Sequence, residues 1–179
     1  PRNDMRPYAE LLKRSSVLVH PSEGVFGLCC DPNDPNAVKD LLALKNRPKD
    51  KGFILLSGYI EHFFDLFYGY DFEKIKECFT PGPITYVIKD NGNAPRSAVK
   101  DGKIAFRFSK HPVVKSLSKD FGGYFISTSA NISGQPPSKD IDEVKGYFDK
   151  EPLIVPGHNG DLDKPTPIKD LETGEWIRK

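Results

Sequence analysis

Apolar residues along the chain fall into short runs with strand spacing and longer stripes with helical spacing. Ile60, Phe63, Phe64 and Phe67 stand at positions i, i+3, i+4 and i+7, which predicts one face of a helix. Lys103–Phe108 alternates apolar and other residues, which predicts a strand. The other predicted strands are Ser16–His20, Phe53–Ser57, Ile84–Lys89, Tyr124–Ser127 and Leu153–Val155. The other predicted helices are Met5–Arg14, Pro35–Lys45, Phe72–Phe79, Ile141–Phe148 and one that begins at Pro112. Strands interleaved with helices predict one α/β layer domain over residues 1–179.

Composition and charge exclude several classes of protein. The chain has 179 residues, of which 37% are hydrophobic, and its 26 basic and 25 acidic side chains give a net charge of +1. Apolar content at this level with balanced charge is typical of a folded core rather than a disordered chain. No apolar run reaches the roughly 18 residues of a membrane helix. Because a dedicated nucleic-acid binder usually carries a larger basic excess, any basic site must be local.

Cysteine and histidine usage indicates a reducing, cytoplasmic compartment without a structural metal. Cys29 and Cys30 are adjacent and Cys78 lies far away, so the count is odd and no paired spacing predicts a disulfide framework. The four histidines are scattered, without the spacing of zinc ligands.

A basic cluster follows the predicted helix Pro35–Lys45 and consists of Lys45, Arg47, Lys49 and Lys51. Cations at the end of a helix complement its dipole, and a solvated charged face explains the cluster without any function. In an extended segment, however, Lys45, Arg47 and Lys51 could converge on a bound polyphosphate. The spacing alone leaves both interpretations open.

Two further features could bind anions or nucleotides. Arg107 lies on a predicted strand, where it is either on the wet face or buried, and a buried arginine needs an anion such as a substrate carboxylate or phosphate. The predicted strand Tyr124–Ser127 runs into the polar loop Thr128–Pro137, and hydroxyls at such a strand end could cradle a nucleotide. The sequence has no Walker loop, Rossmann fingerprint or nucleophile elbow, and no Cys/His or Ser/His arrangement that indicates a covalent nucleophile.

Six segments in order along the chain carry a resemblance to a known family. They are His20–Leu28 (HPSEGVFGL), Leu44–Gly52 (LKNRPKDKG), Pro81–Thr85 (PGPIT), Ile104–Arg107 (IAFR), His111-Pro112 and Ser127–Gly134 (STSANISG). Together they resemble the YrdC/TsaC family of threonylcarbamoyl-AMP synthases, in its short single-domain branch. The Lys-x-Arg at Lys45 and Arg47, followed by the Ser-x-Asn at Ser129 and Asn131, is the family's signature pair.

The resemblance implies a strongly twisted mixed sheet with flanking helices around a deep basic cavity. It implies that L-threonine, bicarbonate and ATP react to give threonylcarbamoyl-AMP and pyrophosphate, which supplies the threonylcarbamoyladenosine modification of tRNA. Mg²⁺ would be bound through ATP and by no protein ligand. The implied partners are the proteins of the tRNA threonylcarbamoyl transfer machinery and a contact with tRNA or other RNA, but no membrane.

The resemblance also assigns roles to individual positions. Lys45, Arg47 and Lys51 fall where the family carries out catalysis on the ATP phosphates. The whole implied ATP-binding set is Lys45, Arg47, Lys51, Lys103, Ser129, Asn131, Ser133 and Arg178. The implied threonine-binding set is Ser22, Gly24, Arg107 and Ser127. The chain departs from the family pattern at Ser22, where many members have Thr, at Gly24, where Thr or Ala is common, and at Lys103, where longer members place a Thr.

Two alternative functions stay open at this point. One is an RNA-binding or ribosome-assembly protein that uses the basic cavity without chemistry, which would need further cations and stacking aromatics on an open face. The other is a carbamoyl-transfer module like the related domain of hydrogenase-maturation proteins, which carry zinc cysteines that this chain lacks.

Overall fold

The structure of the chain is a computed structural model that describes residues 4–45, 53–131, 138–148, 152–162 and 166–179. The strands in these residues are β1 Leu18–His20, β2 Gly27–Cys30, β3 Ile54–Ser57, β4 Thr85–Lys89, β5 Lys103–Phe108, β6 Phe125–Ser129, β7 Leu153–Ile154, β8 Ile168–Asp170 and β9 Trp176–Arg178. The α-helices are α1 Arg6–Lys13, α2 Pro35–Lys45, α3 Phe72–Ile75, α4 Pro112–Phe121 and α5 Ile141–Gly146. Three 3₁₀ segments, Ile60–Phe67, Lys76–Phe79 and Arg96–Ala98, complete the regular elements.

All the described strands form one sheet in the order β7-β1-β2-β6-β3-β5-β4-β8-β9. The β1–β7, β3–β5 and β4–β8 pairs are parallel and the remaining pairs are antiparallel. The predicted α/β fold with a mixed sheet is therefore confirmed. Since helices flank the sheet, the elements form layers around a shared core.

Both faces of the central strands are buried. On β3, Leu55 belongs to the larger hydrophobic cluster, with Phe63 and Phe106, whereas its neighbour Leu56 belongs to a second cluster. That second cluster is formed with α1 and α4, which contribute Leu12 and Val114 among others. Because successive side chains on a strand point to opposite faces, β3 is covered on both sides. Burial of each such Leu or Phe stabilises the fold by about 1.5–3 kcal/mol.

Some local predictions differ from the structure, and two of these differences concern the helix at Ile60–Phe67 and the strands. The predicted helix at Ile60–Phe67 is present, but it is wound as a 3₁₀ helix. Its three-residue period places Phe63 in the core and leaves Phe64 exposed, although both were predicted on one helical face. The strands β2, β8 and β9 were not predicted, and β6 extends through Ser129, two residues beyond the predicted strand end.

Candidate active site

A cavity of about 800 Å³ opens on the sheet and is lined from β1 at one end to β9 at the other. The charged side chains that line it in the described residues are Lys45, Lys100, Asp101, Lys103, Arg107 and Arg178. Five of these six are cations, so the cavity attracts anions although the whole chain is nearly neutral.

Lys45 is held inside the protein by the geometry of α2. The helix begins after Asp34, whose Oδ1 accepts the backbone N–H groups of Asn36 and Ala37 at 3.0 and 3.3 Å. The helix ends at Lys45, which is only 3% exposed. Its Nζ donates to the backbone oxygen of Ser129 at 2.6 Å and to Oδ1 of Asn131 at 3.1 Å.

Ser129 and Asn131 are joined to each other as well as to Lys45. The Ser129 hydroxyl donates to Oδ1 of Asn131 at 2.5 Å. Ser129 is the last residue of β6, and Asn131 lies just beyond it. The structure thus brings together three of the positions predicted to bind ATP, which come from segments more than 80 residues apart. A cation beside small polar side chains and a strand end is suited to hold phosphate oxygens.

Arg107 is buried in the cavity wall and faces a protein carboxylate. Its Nη2 lies 3.7 Å from Oε1 of Glu23, and Ser109 Oγ donates to the other carboxylate oxygen at 3.0 Å. Its Nη1 donates to Thr166 Oγ1 at 3.0 Å. Burial lowers the pKa of the Arg107 guanidinium, and the charge of Glu23 opposes that shift. The anion expected for a buried Arg107 was a substrate group, but the structure also supplies Glu23, a residue that the sequence analysis missed.

The last strand brings Arg178 to the same side of the sheet as Arg107. Arg178 donates through Nε and Nη2 to the backbone oxygen of Thr166 at 2.9 and 2.6 Å. Burial and the charge of Arg107 lower the pKa of Arg178. Lys103 also lines the cavity, and its Nζ is paired with Oδ2 of Asp170 at 3.1 Å. Two arginines therefore converge on Thr166, and Lys103 forms an ion pair with Asp170 in the same wall of the cavity.

The residues predicted to bind the amino acid lie in the loop after β1, on β5 and on β6. Ser22, Gly24 and Ser127 all line the cavity. The Ser22 hydroxyl donates to the backbone oxygen of Val25 at 2.6 Å, so its proton is used within its own loop.

Ser127 contacts His20, which the sequence analysis did not single out. Ser127 Oγ lies 2.8 Å from Nε2 of His20, and Nδ1 of His20 lies 2.8 Å from the backbone oxygen of Pro21. The His20 side chain is fully buried, and burial lowers its pKa to about 4 against the opposing effect of the Pro21 carbonyl. The sequence shows no Ser/His arrangement, but the fold joins these two residues, 107 positions apart, because β1 and β6 both pair with β2. The signal available in the sequence was a histidine at the end of a buried strand.

Three of the predicted site residues, Arg47, Lys51 and Ser133, lie outside the described residues. In the parts of the chain that the structure describes, no group of three or more His, Cys, Asp or Glu side chains is arranged to hold a metal ion. Within the same residues, no helix has the length and apolar content needed to cross a membrane.

Comparison with known proteins connects the chain to one family. The family model Sua5_yciO_yrdC, described as telomere recombination, matches residues 10–179. The chain is 38% identical over 175 residues to the threonylcarbamoyl-AMP synthase of Cellvibrio japonicus, covering 95% of this chain and 92% of that protein. It is 39% identical to the protein of the same name from Hahella chejuensis, covering 94% of both chains.

Solved structures show the same fold. Sua5 of P. abyssi in complex with L-threonine superposes with a TM-score of 0.82 at 26% identity, over 97% of this chain and 52% of that one. The chain thus spans about half the length of this Sua5. E. coli YciO has a TM-score of 0.82 at 23% identity, over 98% of this chain and 88% of its own, which indicates a common fold.

Proposed function

This chain belongs to the Sua5/YciO/YrdC family, and from that premise we propose that it is a threonylcarbamoyl-AMP synthase. It joins L-threonine, bicarbonate and ATP into threonylcarbamoyl-AMP and releases pyrophosphate, which makes it a nucleotidyltransferase. The product supplies the threonylcarbamoyladenosine modification of tRNA.

One observation carries the proposal: a single basic cavity is lined both by the Lys45, Ser129 and Asn131 cluster and by the buried Arg107. The reaction requires an anionic nucleotide and an amino-acid carboxylate in the same enclosed space. The two groups of side chains supply two separate positions for such anions. Relatives that carry the synthase name match nearly the whole chain, which supports the same conclusion.

We assign the ATP phosphates to the Lys45 end of the cavity. Lys45, Ser129 and Asn131 bind them there, together with Arg47, Lys51 and Ser133 from the segments outside the described residues. Lys103 and Arg178 lie farther along the cavity wall and complete the ATP-binding set. We assign the threonine carboxylate to Arg107, which can hold it with two hydrogen bonds, and the rest of the amino acid to Ser22, Gly24 and Ser127.

The proposed reaction requires that the substrates are held in position and that their negative charges are stabilised. It does not require a covalent intermediate on the protein. The neutral amine of threonine attacks carbon dioxide derived from bicarbonate and forms a carbamate, with loss of a proton. A carbamate oxygen then attacks the α-phosphorus of ATP, and the bond to the β-phosphate oxygen breaks as pyrophosphate leaves. Because two anions must approach each other, fixed cations in the cavity lower the barrier.

Mg²⁺ enters with ATP in this proposal. The described residues offer no cluster of three metal-ligating side chains, so we assign the ion to the phosphate oxygens of the nucleotide and no step to a protein-held metal. The three free cysteines and a tRNA-linked product fit a cytoplasmic protein. Its partners are then tRNA, or another RNA, and the proteins that transfer the threonylcarbamoyl group.

The test is to incubate the purified protein with ATP, L-threonine and bicarbonate and to detect threonylcarbamoyl-AMP by mass spectrometry and pyrophosphate by a coupled assay. We expect product only when all three substrates are present. An RNA-binding protein without chemistry would give no product under any condition, and a shift of labelled tRNA in a gel would then identify it. Folded protein that makes no product with saturating substrates would overturn the proposal.

A further inference from the structure

The contact between His20 and Ser127 passes over an intervening strand. His20 ends β1 and Ser127 lies in β6, and β2 runs between the two strands. Gly27 of β2 pairs with His20 on one side and with Ser129 on the other. The two side chains nevertheless meet at 2.8 Å above the sheet.

Gly27 is what allows the two side chains to meet. A Cβ at position 27 would lie 2.4 Å from His20 Nε2 and 3.0 Å from Ser127 Oγ. The space that a side chain on β2 would fill is thus taken by the hydrogen bond itself. Any other residue at this position would push the imidazole away from Ser127.

The surroundings of His20 fix its tautomer. The backbone oxygen of Pro21 can only accept a hydrogen bond, so Nδ1, at 2.8 Å, carries the proton. Burial disfavours the doubly protonated ring, as does the charge of Arg107. Nε2 is therefore a bare acceptor, and the Ser127 hydroxyl donates to it.

We propose that His20 is a positioning residue that holds the hydroxyl proton of Ser127, so that Ser127 Oγ presents only lone pairs to the cavity and accepts a hydrogen bond from the amino-acid substrate. The inference rests on the proposed function. Threonine has donors on its amino or carbamate nitrogen and on its hydroxyl, whereas its carboxylate has none. Ser127 therefore repels the carboxylate, which turns toward Arg107, and takes a donor group of the substrate. His20 in this way determines the orientation in which the amino acid binds.

The first test reads the tautomer without using the enzymatic activity. Nitrogen-15 NMR of the labelled imidazoles, with His20 assigned through a His20→Gln variant, should show a pyrrole-type Nδ1 and a pyridine-type Nε2 at pH 7. An imidazolium, or a proton on Nε2, would overturn the inference even if the protein proves to be the synthase. If the protein proves not to be a synthase, the spectrum still shows which nitrogen of His20 carries the proton.

The second test distinguishes an effect on threonine binding from an effect on ATP binding. The His20→Leu variant loses the acceptor, and we expect a KM for threonine about tenfold higher, with the KM for ATP changed less than twofold. The His20→Gln variant keeps an amide oxygen as acceptor and should recover most of the threonine KM. Equal changes in both KM values, or an unchanged threonine KM in His20→Leu, would overturn the role. Threonine binding by calorimetry gives the same comparison without turnover.

The protein contains a matched control in a second Ser–His pair. Ser57 Oγ lies 2.6 Å from Nδ1 of His62, and neither residue lines the cavity. The His62→Leu variant therefore removes a similar hydrogen bond and should leave the threonine KM unchanged.

A substitution at Gly27 tests the same hydrogen bond in case the His20→Leu variant does not fold. The Gly27→Ala variant keeps His20 but moves its imidazole away from Ser127. It should therefore raise the KM for threonine and leave the KM for ATP nearly unchanged. Gly82 has open space around its Cβ position, so Gly82→Ala is the control. If the threonine KM is the same in Gly27→Ala as in Gly82→Ala, the bond over β2 does not position the substrate.

Discussion

Arg107 and Glu23 face each other in the wall of the cavity, with 3.7 Å between Nη2 of the guanidinium and Oε1 of the carboxylate. The distance allows strong electrostatic attraction but exceeds that of a hydrogen bond. Within the described residues, Oε1 of Glu23 and Nε of Arg107 have no hydrogen-bond partner. Both side chains are less than a tenth exposed, so each charge depends on the other for its compensation.

This pairing predicts that Glu23→Gln destabilises the fold while it keeps the shape of the side chain. The guanidinium of Arg107 would stay buried without its counter-charge, and we expect the free energy of unfolding to fall by about 3 kcal/mol. Urea denaturation measures the change. The exposed pair between Glu73 and Lys76, at 2.7 Å, supplies the control, because Glu73→Gln should cost less than about 1 kcal/mol.

A double substitution checks the cause of this loss. Adding Arg107→Met to Glu23→Gln removes the uncompensated charge, so the pair of changes should cost less than the sum of the two single changes. Strict additivity would mean that the two charges do not interact.

The Lys45 cluster predicts a loss of activity that is specific to the nucleotide. Lys45→Met keeps the length and most of the apolar contacts of the side chain but removes its charge and both donated hydrogen bonds. One charge-assisted contact to phosphate contributes about 1.5–3 kcal/mol, so kcat/KM for ATP should fall roughly 10- to 100-fold. Pyrophosphate release at varied ATP measures it. Lys39 is on the same helix but exposed, and Lys39→Met should leave kcat/KM unchanged. An equally active Lys45→Met would remove Lys45 from the phosphate site.

The parts of the site that were predictable depend on local signals. The helix α2 could be placed because Asp34 caps it and apolar residues follow at helical spacing, so the position of Lys45 at its end followed from the sequence. Arg107 could be placed on a strand because Lys103–Phe108 alternates clearly. In both cases the evidence lies within about ten consecutive residues.

The parts that were missed depend on the order of strands. The strand β2 reads Gly-Leu-Cys-Cys, and since it is buried on both faces it has no alternating pattern. Without β2, nothing in the sequence places His20 near Ser127. Glu23 was missed for a similar reason: a glutamate in a polar loop is usually solvated, and only the folding of that loop against β5 turns it toward Arg107.

His20 predicts a loss of stability as the solution is acidified. Its pKa is about 4 in the folded protein and about 6.5 in the unfolded chain. Between these values the unfolded chain binds a proton that the folded protein does not, so stability is full above pH 6.5 and falls as the pH drops toward 4. The difference of about 2.5 pKa units corresponds to roughly 3 kcal/mol.

Denaturation of the wild type and of His20→Gln at pH 7 and pH 4 isolates this effect. The wild type should lose about 3 kcal/mol more than the variant over this range, because all other titrating groups are common to both. Parallel pH dependence in the two proteins would show that His20 is already protonated when folded, or is exposed to solvent.

The last prediction concerns which amino acids are accepted. In the proposed function Arg107 holds the carboxylate, which every amino acid has, so we expect selectivity to come from the hydroxyl and methyl groups near Ser22, Gly24 and Ser127. A methyl in a fitted pocket contributes only about 1–3 kcal/mol, so serine should be used at roughly a tenth or less of the efficiency of threonine. Valine has the shape of threonine without the hydroxyl, and it would leave polar groups of the pocket unpaired, which costs more. We therefore expect the order threonine, serine, valine in kcat/KM, measured as pyrophosphate release at fixed ATP and bicarbonate. Gly24 has no side chain, and the Ser22 hydroxyl already donates to the backbone oxygen of Val25. Of these three residues, Ser127 is therefore the best placed to bind the hydroxyl of threonine. If valine equals threonine, no group in this pocket binds the hydroxyl, and Ser127 accepts its hydrogen bond from the nitrogen instead.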